Sequence, residues 1–116
     1  MTVIALSYGK NGVIKKCQAN GHADFSKKGT DIVCSAVTIL IRTAMQVLSH
    51  TENVLLITGP LERGVISFTV KAKTENSETE TQLKCIGDFL RTGFSALTKE
   101  FPENVKLELF QKSDEF

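Results

Sequence analysis

The sequence predicts an α/β (α+β) two-layer sandwich in which two helices lie against a mixed sheet of about five strands. Three observations carry this. Apolar residues alternate with a period of two in three short segments, and two further short segments are β-rich or continuously apolar. The period lengthens to steps of three and four in two long ones. Each long segment is apolar on one stripe, which only a sheet face or another helix can bury. The order is ββαββαβ.

Residues 2–8, TVIALSY, are β-rich and lead into GKNG. Asn11-Gly12 predicts a tight primed turn, because both residues tolerate positive φ, and the return strand 13–19 puts Val13, Lys15, Cys17 and Ala19 on one face. The polar, glycine-bounded GHADFSKKG from Gly21 to Gly29 reads as a loop. From Asp31 to about His50 the stripe Val33, Val37, Leu40, Ala44 and Val47 or Leu48 predicts a helix, with Thr30 or Asp31 as its cap. VLLIT (54–58) is a short strand, GPLERG a turn, and VISFTVKA (65–72) a second alternating strand. Residues 73–79 are polar and expected to be exposed. Leu83, Ile86, Leu90, Phe94, Leu97 and Phe101 then hold a helical stripe that Pro102 ends, with Gly87 and Gly93 inside it as points of close packing. Val105, Leu107 and Leu109 alternate in a last strand.

The chain has 116 residues, 41% apolar and 23% charged, which suits one domain over 1–116 and disfavours disorder or a fibrous repeat. The apolar run Ile32 to Ile41 is interrupted by Cys34, Ser35 and Thr38 and falls short of the roughly 20 residues of a membrane span. The N-terminus has neither the basic region nor the cleavage site of a signal peptide. A cytoplasmic chain without membrane contact is expected. Residues 1–50 carry six basic and two acidic groups, the remainder eight and eleven. The formal total of +1, with seven Phe and one Tyr for stacking, predicts no strong nucleic-acid binding. Cys17, Cys34 and Cys85 are odd in number and form no CxxC pair, so free thiols are expected rather than disulfides or a zinc site.

Cys34 is the residue that chemistry selects. With Asp31 as cap it falls in the first helical turn, where unpaired N–H groups and the helix dipole favour a thiolate. Lys27 and Lys28 add positive charge, and His22 in the preceding loop is a candidate base. A small buried cysteine is the competing reading of the same position. Cys17 and Cys85 read as packing residues, and His50 as a contact at a helix end. His22, Asp24 and Cys34 lack a fourth ligand for a closed metal site, so no metal or other cofactor is expected.

GHADFSKKGTDIVCSAVTIL closely resembles the signature of the ribosomal-processing cysteine protease family often called Prp. The match holds at Gly21, His22, Ala23, Gly29, Asp31, Ile32, Val33, Cys34, Ala36 and Val37. Thr38 departs from the family's usual Ser and keeps the hydroxyl one turn beyond Cys34. The resemblance implies a small cytosolic peptidase that removes the N-terminal extension of a large-subunit ribosomal protein. It implies Cys34 as nucleophile and His22 as base, with Asp31 as orienter or helix cap. It further implies a homodimer and a loop that moves on substrate binding, with Gly21, Ala23, Phe25, Gly29 and Thr38 around the substrate. The backbone N–H groups at the helix start, that of Cys34 included, are then the expected oxyanion donors. Two other classes stay open on the residues alone: a non-catalytic ribosome-associated binding module, for which the basic first half is the one feature, and a thiol redox sensor at Cys34.

Overall fold

The computed structural model describes residues 1–21, 30–60 and 62–111, with Thr30 and Asp31 described in backbone only. Its elements are β1 (Thr2–Tyr8), β2 (Ile14–Gly21), α1 (Thr30–Ser49), β3 (Val54–Thr58), β4 (Val65–Ala72), α2 (Ser77–Glu100) and β5 (Val105–Gln111). This is the predicted ββαββαβ order. The five strands form one mixed sheet in the order β3-β4-β2-β1-β5. All neighbours are antiparallel except β1 and β5, which run parallel.

Both helices bury their stripes against one face of this sheet. Ile4 and Leu6 of β1, Cys17 and Ala19 of β2, and Phe68 and Val70 of β4 meet Val33, Val37, Ile41, Ala44 and Leu48 of α1 and Leu83, Leu90 and Phe94 of α2. All of these are at most 4% exposed. The α1 stripe passes through Ile41, while Leu40 is only partly buried and Val47 is exposed. Among the described residues α1 over Ile32–Ser49 is long and apolar enough to cross a membrane by length and composition, a longer stretch than the ten-residue run suggested. Here that apolarity serves the core stripe.

Two turns differ from expectation. The β1–β2 connection is a three-residue 3-10 turn, Lys10–Gly12, closed by the Gly9 N–H donating to the Val13 carbonyl at 2.9 Å. Asn11 and Gly12 have the expected positive φ of 61° and 76°, but the loop is one residue longer than a tight primed turn. The ladder then shifts from Ser7↔Lys16 to Tyr8↔Ile14, a bulge with Lys15 as the extra residue. The bulge flips the alternation, so fully buried Ile14, rather than Val13 and Lys15, shares the core face with Cys17 and Ala19.

The 73–79 segment is not uniformly exposed. Asn76 caps α2 by accepting from the Thr79 N–H at 2.8 Å, and Thr79 is 2% exposed. Asn53, at φ 65°, ties this cap to the end of α1. Its amide donates to the Thr74 carbonyl at 2.7 Å and to Thr79 Oγ1 at 2.9 Å, and its Oδ1 accepts from the Thr74 N–H at 3.0 Å.

Gly87 and Gly93 do allow close packing. A Cβ on Gly87 would stand 2.9 Å from Tyr8 Cε1, and one on Gly93 3.1 Å from Leu40 Cδ1. The Tyr8 hydroxyl donates to the Gly87 carbonyl at 2.9 Å, so α2 is pinned to the end of β1. Burial pushes the Tyr8 phenol up to about 12, against the opposing pull of Arg91. Burial alone pushes the Cys17 thiol up to about 12.

Two predictions follow from this packing. Gly87→Ala should lower stability by about 1–3 kcal/mol in urea unfolding, because overpacking against Tyr8 outweighs the helix-propensity gain of about 1 kcal/mol. Stability should also fall in alkali. Tyr8 and Cys17 bind their protons more tightly folded than unfolded, so their contributions are whole below the unfolded values of 10.0 for Tyr8 and 9.0 for Cys17 and are lost as pH rises through about 12. Urea midpoints measured from pH 8 to 11 should therefore decline, and less steeply in Tyr8→Phe.

Candidate active site

One end of the sheet gathers the termini that surround Cys34. Thr2 pairs with Gly21 and Val105, Asn20 with Val65, and Thr58 with Phe68. The α1 helix starts at this end, since its last turn connects to the start of β3 at the other. Gly21, the last residue of β2, is held on two sides. A Cβ there would meet Thr2 Oγ1 at 2.7 Å, and its N–H donates to the Gly64 carbonyl at 2.9 Å. Gly64, at φ +79°, lies so close that its own Cβ would stand 2.6 Å from the Gly21 carbonyl oxygen. Both positions require glycine. The GPLERG turn thus supports the chain where it enters the predicted substrate loop, a role that sequence reading missed and that the turn glycine alone could have suggested.

The helix begins at Thr30, so Asp31 is its second residue and Cys34 its fifth. This corrects the expected start. A cap stands outside the helix, which removes both Thr30 and Asp31 from that position and puts Cys34 in the second turn. The N–H of Cys34 then points to the Thr30 carbonyl in the i→i−4 pattern. The N–H groups of Thr30, Asp31 and Ile32 have no acceptor within the helix. Because helical side chains lean toward the N-terminus, Cys34 covers the turn that carries those groups.

Cys34 is half-buried, whereas its neighbour Val33 is 1% exposed. Thr38, one turn on, is also half-buried. The other thiols stand apart: Cys17 is sealed in the core and Cys85 is exposed on α2. His50 lies sixteen positions beyond Cys34, about 24 Å along the helix axis at 1.5 Å per residue. It faces Gln46, with Nε2 atoms 3.4 Å apart. Of the two histidines in the sequence, His50 therefore stands too far from Cys34 to act on it. His22, Ala23, Asp24, Phe25, Lys27, Lys28 and Gly29 lie outside the described residues. Among the described residues no group of three His, Cys, Asp or Glu side chains converges as for a metal ion.

Among curated proteins, none is similar enough to the chain to count as a match. Solved structures share its fold. SMU.848 from Streptococcus mutans superposes with a TM-score of 0.74 at 20% identity, over 97% of this chain and 96% of that one. The essential ribosomal processing protease Prp from S. aureus, in complex with a substrate peptide, gives 0.75 at 14% identity, over 94% and 99%. The same protease with a covalently linked product peptide gives 0.69 at 19%, again over 94% and 99%. The family described as cysteine protease Prp matches residues 1–106, and by that match the chain belongs to the Prp family of cysteine proteases.

Proposed function

We propose that this cysteine protease removes the N-terminal extension of a large-subunit ribosomal protein, with Cys34 as nucleophile and His22 as general base and acid. The observation that carries the reading is the position of Cys34. In a chain of this family it is the half-buried thiol in the second turn of α1, while Cys17 is sealed and His50 stands at the far end of the same helix.

The chemistry follows from those groups. His22 takes the proton of Cys34, and the thiolate attacks the scissile carbonyl carbon. The oxyanion is stabilised by the backbone N–H groups of Thr30, Asp31 and Ile32, already aligned by the helix. The tetrahedral intermediate collapses as His22 protonates the leaving amine, leaving a thioester on Cys34. Water, deprotonated by His22, hydrolyses it and restores the thiol. Asp31 serves as a first-turn carboxylate that favours the helix N-terminus or as an orienter of His22. Gly21, Ala23, Phe25 and Gly29 carry the loop that closes over the substrate, and Thr38 borders the pocket. The S. aureus structures with peptides support a peptide substrate for the fold. The protease works in the cytoplasm as a homodimer, as the resemblance to the family implies.

The test is incubation with the N-terminal peptide of the same organism's ribosomal protein, read by mass spectrometry. Wild type should make one defined cut. Cys34→Ala and His22→Ala should both abolish it with little change in stability, whereas Cys85→Ala should retain turnover. Asp31→Asn should be milder than either, because a first-turn carboxylate contributes only about 0.3–1 kcal/mol to the helix; a loss equal to that of Cys34→Ala would assign the charge a part in catalysis. Thiol alkylation of the native protein should label two cysteines and spare Cys17, which should react only after denaturation.

A further inference from the structure

β3 is an edge strand. The sheet order sets β4 on one side of it and, among the described residues, no strand on the other. Two backbone bonds define which of its groups face outward. The Gly59 N–H donates to the Ser67 carbonyl at 2.9 Å, and the Lys73 N–H to the Asn53 carbonyl at 2.8 Å. Bonded and non-bonded pairs alternate along an antiparallel ladder. Leu55 and Ile57, opposite Lys71 and Thr69, therefore bond to β4, while Val54, Leu56 and Thr58 direct their N–H and C=O groups away from the sheet.

Within its five residues this edge lacks two common protections against pairing. VLLIT contains no charge and no proline. Its Val54 and Leu56 side chains face the helices and the core. Leu55 and Ile57, on the opposite face, are 38% and 53% exposed. An added strand would meet apolar neighbours at every second position on that face.

Cys34 overlooks this edge. Leu40 packs against α2 at Gly93. At about 100° per residue, Cys34 and Thr38 lie about 120° and 160° round the helix from Leu40, on the flank turned away from α2. α2 packs over β1, β2 and β5, and α1 over β2, β3 and β4. That flank consequently faces the β3 side of the sheet. The α1 helix runs antiparallel to β3, so Cys34 stands at the Thr58 end.

We infer that the substrate peptide binds in extended form as a sixth strand on the outer edge of β3, an inference that rests on the peptidase reading above. Backbone bonds to Val54, Leu56 and Thr58 hold it without regard to sequence. Leu55 and Ile57 select apolar side chains at alternate positions. The scissile bond lies in the residues that continue past Thr58 to the start of α1. Occupancy of the edge thus positions the peptide, and Leu55 and Ile57 are specificity residues rather than catalytic ones.

The test uses the same ribosomal-protein peptide, N-methylated at one backbone nitrogen at a time, binding to the Cys34→Ala protein. Methylation should weaken binding about tenfold or more at every second residue and leave the intervening residues unchanged, since only alternate N–H groups face the edge. Ile57→Lys should weaken binding similarly, and Ile57→Val should restore it. Cleavage by wild type with a uniform methylation profile would overturn the strand inference and leave the peptidase reading standing. An alternating profile without cleavage by wild type would keep the edge as the peptide seat and overturn the peptidase reading. Absence of binding to Cys34→Ala would overturn the inference. Ile57→Lys that changes the oligomeric mass yet binds peptide normally would also overturn it, by assigning the edge to a second copy of the chain.

Discussion

Seating Val33 in the core is what makes Cys34 available. Successive helical residues are about 100° apart, so a stripe that buries Val33, Val37, Ile41, Ala44 and Leu48 leaves the next residue on the flank. A stripe displaced by one position would enclose Cys34 as completely as Cys17. The same seating sets the helix start beside the sheet end where β2 finishes and β4 begins, so the free N–H groups and the thiol are brought together by one act of hydrophobic burial.

A second constraint acts at the entry to the loop. A Cβ on Gly64 would strike the Gly21 carbonyl and one on Gly21 would strike the Thr2 side chain, and the Gly21–Gly64 backbone bond joins β2 to the β3–β4 turn. The strand is therefore held by these contacts up to the residue before His22.

Much of this was legible in the residues because it is local. The change of hydrophobic period marked both helices, and the residue types around Gly21, His22 and Cys34 carried the family's pattern. Gly87 and Gly93 stood out for being glycines within a helix, and each turned out to accept a neighbouring side chain. Other features depend on partners distant in the chain. Nothing in VKLELFQ announces a parallel partner in β1, and nothing in VLLIT distinguishes an edge strand from a central one. The bulge at Lys15 arises from how the hairpin loop closes, so a strict alternation assigned Val13 and Lys15 to the wrong face. Asn53 looks like any turn residue, yet its side chain joins the end of α1 to the cap of α2 through Thr74 and Thr79. The helix start moved by one or two residues, the usual uncertainty of a terminus, which shifts Cys34 from the first turn to the second.

The parallel pairing of β1 with β5 has a consequence for biosynthesis. β1 precedes the other four strands of this sheet and contains fully buried Ile4 and Leu6, yet one of its two neighbours begins about a hundred residues later, at Val105. Until that last segment clears the ribosomal exit tunnel, β1 has an open side within an incomplete sheet. Long-range closure of this kind is slow and leaves intermediates with exposed edges. The nascent chain can form the β1–β2 hairpin and both helices before β5 is available, but the sheet is completed only once β5 has emerged. Interruption between α2 and β5 would leave β1, which carries fully buried Ile4 and Leu6, as an unpaired and sticky edge.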